Sequence, residues 1–301
     1  MKKTKAQIGR ILKRPSQPSR QLTSFPDLLK EAASRGDRFA PNLIKCSDSE
    51  IQVGLQEVRS DYKSKLKKHP GAYKAVMGLF FEALAQAVLI NKDEEPWLVA
   101  RAIRYSVIAQ NHMLLAWLWL PQDVRVLYAE CSKFVGVNKR LWEKACAGSF
   151  AVARFTDACL QFKYRVRVAH PDHDLHRKID LFYNPLIDRG GPLCVQVKSH
   201  AKIKGAQFTL LRNKPRQSDG SRAEYNLRLD VWNGVERFNR ANNTTWLPLI
   251  VLVGLDGLAS KSLYDAHVIR DLRLFVEALR AGSRDPLKAE SDDLNFEQRI
   301  A

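Results

Sequence analysis

The chain has 301 residues, 45% of them hydrophobic, which is enough to bury the core of one large domain or two ordinary ones. This composition excludes an intrinsically disordered protein. Lysine and arginine number 49 against 32 aspartates and glutamates, so the formal net charge is +17. A charge of this size predicts a polyanionic partner.

Membrane and secretory segments are not expected from the sequence. The longest apolar run, 113–120, is too short to span a bilayer, and residues 1–20 lack the apolar segment of a signal peptide. The five cysteines are odd in number and lie mostly in apolar stretches: Cys46, Cys131, Cys146, Cys159 and Cys194. We therefore expect reduced thiols in the core, a cytoplasmic location and no contact with a membrane.

Residues 1–60 are predicted to form a basic arm followed by a short helix. Positions 1–20 contain seven lysines and arginines and no acidic residue, which is typical of a mobile, anion-binding segment. Residues 61–136 are predicted to form a helical subdomain, because apolar residues recur there every three to four positions. Its helices are expected at 72–89, 96–120 and 121–134, with Pro96 and Pro121 at helix-opening positions.

Residues 137–280 are predicted to form a mixed α/β domain, and 281–301 a polar tail. A helix at 138–160 is followed by alternating segments that predict three consecutive strands, at 162–169, 178–183 and 192–199. A basic loop at 202–222 then leads to a helix at 223–239, a strand at 246–253 and a helix at 265–279. The strand at 246–253 is apolar on both faces, as a buried central strand should be.

Three polar side chains mark this predicted sheet. Asp180 lies on the second strand, and Gln196 and Lys198 lie on the third. Because side chains alternate along a strand, Gln196 and Lys198 project from the same face. An acid followed by a polar-x-Lys strand is typical of metal-dependent phosphodiester hydrolysis.

The order helix, three strands, helix, strand, with Asp180 and Gln196-x-Lys198 in place, resembles the PD-(D/E)XK nuclease superfamily. The resemblance covers about residues 138–255, and it implies a restriction-endonuclease-like α/β core behind the N-terminal helical subdomain. The Gln in Gln196-Val197-Lys198 is similar to the variant of Mrr-type restriction endonucleases and transposon-end endonucleases, in which Gln replaces the usual Glu.

The resemblance also implies a Mg²⁺ cofactor, with Mn²⁺ as a substitute. Asp180, the Gln196 amide oxygen and the Val197 carbonyl would hold the ion, and Lys198 would lie near the attacking water and the scissile phosphate. A neutral Gln in place of Glu should weaken metal binding.

Members of the family commonly supply a further Glu from the helix before the first strand, and the segment 148–154 has none. Glu82, in a Gly-x-x-x-Glu segment that is similar to the family's opening helix, is our first candidate. Glu143 is the second, and Asp157 is also considered.

Each assignment has a structural alternative. Asp180 could form a surface ion pair with Arg177 or Lys178, and Gln196 and Lys198 could be the solvated face of an edge strand. The His- and Asp-rich segment 170–176 could hold a metal, but a polar turn between two strands is the preferred interpretation.

The basic loop is predicted to contact DNA next to the catalytic edge. Its candidate contacts are Lys202, Lys204, Arg212, Lys214 and Arg216. Each phosphate that a lysine or arginine neutralises releases counterions, so this binding should be salt-sensitive and largely independent of sequence.

The expected function is that of a Mg²⁺-dependent DNA endonuclease, in defence against foreign DNA or in a mobile element. It could act as a homodimer or with a partner protein of a multi-component system. One alternative is a non-catalytic nucleic-acid-binding protein with a degenerate nuclease fold. Another is a helical scaffold that recruits a nuclease or transposase.

Overall fold

A computed structural model describes residues 24–36, 43, 46–89, 96–119, 124–184, 192–218, 220–255 and 263–281. The predicted basic arm and the tail from residue 282 onward lie outside these ranges. The described residues form nine helices: α1 (Phe25–Arg35), α2 (Asp48–Lys65), α3 (Pro70–Leu89), α4 (Pro96–Trp119), α5 (Val124–Val135), α6 (Lys139–Gln161), α7 (Pro171–Arg177), α8 (Arg222–Asn242) and α9 (Ala266–Arg280). They also form five strands: β1 (Arg165–Val168), β2 (Leu181–Asn184), β3 (Leu193–His200), β4 (Ala206–Leu210) and β5 (Leu247–Gly254).

The first two helices are fixed by local capping. Ser24 caps α1, and Ser47 and Glu50 form a capping box at the start of α2. Helix α2 was not predicted, and its sequence is largely polar, yet its buried residues Ile51 and Leu55 join the main hydrophobic cluster. The boundaries drawn at residues 60, 136 and 280 stay a prediction.

The predicted helical region is present as α3, α4 and α5. Helices α3 and α4 pack closely, since a Cβ added at Gly78 would lie 2.8 Å from the Met113 side chain. Helix α4 starts at Pro96, as expected from the fixed φ of proline. The position of Pro121 lies outside the described residues. One continuous cluster of buried apolar residues joins these helices to α6 and the sheet.

The sheet has strand order β1-β2-β3-β5-β4. The antiparallel meander β1-β2-β3 confirms the three predicted strands, and β5 pairs parallel to β3. Because β5 lies between β3 and β4, it is a central strand, as its apolar sequence predicts. The mixed α/β class is therefore confirmed.

Two short elements differ from the prediction. The predicted basic loop contains β4, which pairs antiparallel to β5 at the edge of the sheet. The predicted polar turn at 170–176 forms α7, which His170 caps and which ends at Lys178 in the left-handed conformation. Both elements have seven residues or fewer, so charged neighbours obscure their periodicity.

Helices cover the two faces of the sheet. On one face, Phe155 of α6 packs against Tyr183, and Phe275 of α9 stacks on Phe208 at 4.6 Å. On the other face, Phe238 of α8 packs against Phe182 with ring centroids 5.2 Å apart. Side chains that alternate along β2 and β3 therefore face either α6 or α8.

All five cysteines are free thiols, and four of them are buried. This confirms the expected reduced core residues. Within the part of the chain that the structure describes, no helix is both long and apolar enough to cross a membrane.

Candidate active site

Asp180 lies immediately before β2, on the face of the sheet that α8 covers. One of its oxygens, Oδ2, accepts a hydrogen bond from the Val197 N–H at 2.6 Å and another from Gln196 Nε2 at 2.5 Å. The backbone N–H of Asp180 donates to the Val195 carbonyl at 2.8 Å. Asp180 is therefore fixed against β3 by backbone and side-chain contacts, in contrast to the alternative of a surface ion pair.

Gln196 and Lys198 project from the same face of β3, as the sequence predicts. Cys194 on that face packs with Phe238 of α8, whereas Val195 and Val197 join the opposite cluster. Strand β3 lies inside the sheet, although β2 pairs only with its residues 193–195, so the alternative of a solvated face is contradicted by the burial of Gln196 and not by the strand order. Gln196 is 3% exposed, while Lys198 reaches solvent.

Asp174 of α7 is the carboxyl group that lies beside Asp180, and the two side chains are hydrogen-bonded. Burial, followed by the charge of Asp180 and the hydrogen bond to it, raises the pKa of Asp174 to about 8, and the charges of Lys198 and Lys178 oppose this rise. Asp174 is therefore the protonated member of the pair, and its O–H donates a hydrogen bond to the Asp180 carboxylate. Two carboxyl groups in hydrogen-bond contact require a shared proton or a cation between them.

Burial also raises the pKa of Asp180, but four contacts oppose the rise. These are the Lys198 charge, the Val197 N–H, the Asp174 hydrogen bond and the Gln196 amide. Because all four favour the ionised form, Asp180 is the anionic member of the pair.

Helix α8 holds α7 and its Asp174 in place. A Cβ added at Gly234 would lie 2.0 Å from the Arg177 carbonyl oxygen, so only glycine permits this approach. Arg237 Nη2 also donates to the His176 carbonyl at 2.8 Å. The position of Asp174 therefore depends on contacts from residues about 60 positions later in the chain.

The two other predicted metal ligands are placed differently. The Gln196 amide directs its N–H₂ group at Asp180, so its oxygen must rotate before it can bind a cation there. The N–H and C=O of one strand residue point toward the same neighbouring strand, so the Val197 carbonyl faces the side on which Asp180 lies. The Val197 carbonyl therefore needs no rearrangement to face that side.

The three carboxylates proposed for the missing family position lie elsewhere. Glu82 is buried and accepts a hydrogen bond from Gln86 at 2.7 Å, and Glu143 is exposed 3.9 Å from Lys139. Asp157 accepts a hydrogen bond from Gln161 at 2.8 Å. Among the described residues, the side chains whose charge or hydrogen bond affects the pKa of Asp180 are Lys198, Asp174 and Gln196. Asp174 is therefore the carboxyl group that the structure brings to Asp180, while Glu82 and Glu143 are shown with other partners.

Sequence reasoning missed Asp174 because it placed residues 170–176 in a turn. The available signal was Pro171 after His170, a helix-opening pair that puts Asp172 and Asp174 in the first turns. The histidines of this segment do not form a metal cluster: His173 packs its ring against Phe182 and Phe238, at 5.9 and 5.5 Å.

Strand β4 divides the predicted basic loop into two clusters. Lys202 and Lys204 precede β4, near the point where the Gly205 carbonyl accepts a hydrogen bond from the Gly254 N–H. The other three follow β4, near the point where the Leu211 N–H donates to the Pro248 carbonyl. The six residue-to-residue steps from Gly205 to Leu211 span roughly 20 Å at the usual rise of a strand. All five predicted contacts are exposed: Lys202, Lys204, Arg212, Lys214 and Arg216. They form two separate basic clusters rather than one grip beside Lys198.

Within the described ranges, no group of three or more His, Cys, Asp or Glu side chains is arranged to hold a metal ion. The candidate site offers two carboxyl groups, a backbone carbonyl, an amide and an exposed ammonium group. Comparison of the chain with known protein families, with curated proteins and with solved structures gives no match in any of the three.

Proposed function

We propose that this protein is a Mg²⁺-dependent DNA endonuclease with a restriction-endonuclease-like core, which hydrolyses phosphodiester bonds. The observation that carries the proposal is the Asp174–Asp180 carboxyl pair, held against β3 next to Lys198. The order of α6, the β1-β2-β3 meander, α8 and the parallel strand β5 supports the same conclusion.

The donor set fits a magnesium ion. Mg²⁺ is usually held by one or two carboxylates, several waters and the phosphate of the substrate, so a large protein cage is not needed. Asp174 and Asp180 would hold the ion, with the Val197 carbonyl as a further donor, and the ion would replace the proton that the pair shares. When bound, the metal supplies charge for the phosphoryl oxygens and lowers the pKa of a water ligand.

Lys198 is the residue proposed to act on the substrate. Its ammonium group reaches solvent from the same face as the carboxyl pair and lowers the pKa of both acids. An ammonium in this position can orient the attacking water and stabilise negative charge that develops on the phosphate.

DNA is the proposed substrate because of the charge of the whole chain and of the two basic clusters. The net charge of +17 gives long-range attraction to a polyanion, and exposed lysines and arginines provide phosphate contacts. Cleavage of both strands of a duplex at one position requires two sites, so a homodimer or a partner protein is part of the proposal.

The first test is cleavage of supercoiled plasmid with Mg²⁺, Mn²⁺ or EDTA. We expect nicking or cutting with either metal and none with EDTA. Asp174→Asn and Lys198→Ala should each lower the rate at least about a hundredfold, because each removes a group proposed at the metal or the phosphate. Asp172→Asn is the matched control, since Asp172 lies on the same helix but faces solvent and pairs with His170.

The nuclease proposal fails if no metal supports cleavage, or if Lys198→Ala cuts as fast as the wild type. A non-catalytic nucleic-acid-binding protein is the second candidate, and the neutral Gln196 amide turned toward Asp180 favours it. Salt-sensitive DNA binding without cleavage in any metal would select this second function.

A further inference from the structure

A cleft of about 510 Å³ lies at the carboxyl end of α8. Its lining includes Trp232, Glu236, Asn239, Arg240, Trp246 and Pro248. This volume is within the usual range of small-ligand sites, which combine aromatic walls with a few polar groups. The function proposed above does not use this cleft.

One wall of the cleft is held rigidly by Asn239. Its side-chain nitrogen donates to the Trp246 carbonyl at 2.9 Å, and its oxygen accepts from the Trp246 N–H at 3.1 Å and from Thr244 Oγ1 at 2.8 Å. The Trp246 ring packs against Phe182 and Phe238, with centroids 5.4 Å away in both cases. A ligand would therefore meet a preformed wall and would not have to order it.

The other wall combines an aromatic ring with positive charge. Trp232 is partly exposed, and Arg240, about two helical turns later on α8, also lines the cleft and is exposed to solvent. The Leu211 N–H donates to the carbonyl of Pro248, which lines the cleft, so the basic residues after β4 begin next to it. The exposed Lys214 belongs to this cluster.

The cleft and the carboxyl pair lie on different sides of α8. At about 100° per residue, Trp232 and Glu236 are turned roughly 160° from Gly234, which contacts α7. Trp232 and Glu236 thus face away from α7, although Trp246 packs on the same two rings, Phe182 and Phe238, as His173 of α7. An inference about the cleft accordingly does not depend on whether the carboxyl pair is catalytic.

We propose that this cleft binds an unstacked base of single-stranded nucleic acid. The base stacks on Trp232, polar groups such as Glu236 contact its edge, and Arg240 and Lys214 hold the flanking phosphates. Stacking on an aromatic ring beside a basic surface is the usual way in which proteins bind single strands without sequence preference. A free nucleotide shares this chemistry but would gain nothing from the basic cluster beyond its own phosphate.

The test is binding of a fluorescent oligothymidine of about twelve nucleotides, within the usual site size, to the full chain in EDTA. Anisotropy titrations should show Trp232→Ala binding about 5- to 100-fold more weakly, because stacking contributes about 1–3 kcal/mol per base. The affinity of Trp232→Phe should stay within about threefold of the wild type, since phenylalanine still offers an aromatic ring for stacking. Trp119→Ala is the control: this tryptophan is 48% exposed on α4, and its loss should leave affinity unchanged.

Trp232 also packs on Val231 and Leu211, so Arg240→Gln provides a second test that does not disturb the core. It should reduce the slope of log affinity against log salt by about 0.7, the value for one phosphate on a single strand. Unchanged binding by Trp232→Ala, or an unchanged slope for Arg240→Gln, would overturn the proposal. Thymidine monophosphate that binds as tightly as the oligomer would overturn the assignment to a strand.

Discussion

Gly234 is the position where one methyl group should disturb the candidate site most specifically. In Gly234→Ala the new Cβ would lie 2.0 Å from the Arg177 carbonyl oxygen, and real Cβ atoms keep at least 3.0 Å. Helices α7 and α8 must therefore separate by about 1 Å. Because the obstacle is backbone, it cannot rotate away, and overpacking of this kind costs about 1–3 kcal/mol.

Gly148→Ala is the matched control. It also lies inside a helix, but its Cβ would meet the end of the flexible Gln110 side chain at 2.9 Å, which can move aside. Both variants gain about 1 kcal/mol in helix propensity, so this contribution cancels when the two are compared. In urea denaturation we expect Gly148→Ala to be as stable as the wild type or up to about 1 kcal/mol more stable. Gly234→Ala should be about 1–3 kcal/mol less stable than Gly148→Ala.

The same displacement should reach Asp174, which α7 carries. A shift of about 1 Å in a catalytic group can lower a rate about a hundredfold, so Gly234→Ala should cleave plasmid much more slowly while Gly148→Ala keeps its rate. Equal stability of the two variants would refute the close contact between α7 and α8. If Gly234→Ala loses stability as expected but cleaves plasmid at the wild-type rate, the link from that contact to the site is refuted.

Three further predictions concern pH and capping. Burial, with Lys74 and Arg59 nearby, lowers the pKa of His112 to about 3. Below the ordinary histidine pKa near 6.5, protonation of His112 therefore favours the unfolded chain. In urea denaturation, the free energy of unfolding of the wild type should fall by up to about 2 kcal/mol relative to that of His112→Gln between pH 6.5 and 5. Asp174 has the opposite shift: its raised pKa stabilises the folded state below pH 4, and this stability is lost as the pH rises through about 8. Between about pH 4 and 8 the wild type should therefore lose stability relative to Asp174→Asn. Parallel curves of unfolding free energy against pH for the two proteins would contradict the shared proton. Ser47→Ala removes the capping-box hydroxyl of α2 and should cost about 1 kcal/mol by the same assay, with an unchanged midpoint counting against the cap.

The sequence predicted the elements whose signal is local. Alternation along β3 places Gln196 and Lys198 on one face, and an apolar run identifies β5 as a central strand. Pro96 marks the start of α4, and Asn138 caps α6 through a hydrogen bond to the Leu141 N–H. Each of these signals comes from periodicity or capping within a few residues, so neighbouring sequence is sufficient to read it.

Tertiary structure decided which acid accompanies Asp180. Asp174 is only six residues away in sequence, but its place in the site depends on a short helix that Gly234 and Arg237 hold through contacts distant in the chain. The division of the basic residues into two clusters depends likewise on the pairing of β4 with β5, whose paired residues lie 39 to 47 positions later. Such contacts are set by how elements pack, and no local pattern encodes them. The sequence alone therefore determined the strand that carries Gln196 and Lys198, while packing determined the carboxyl pair beside it.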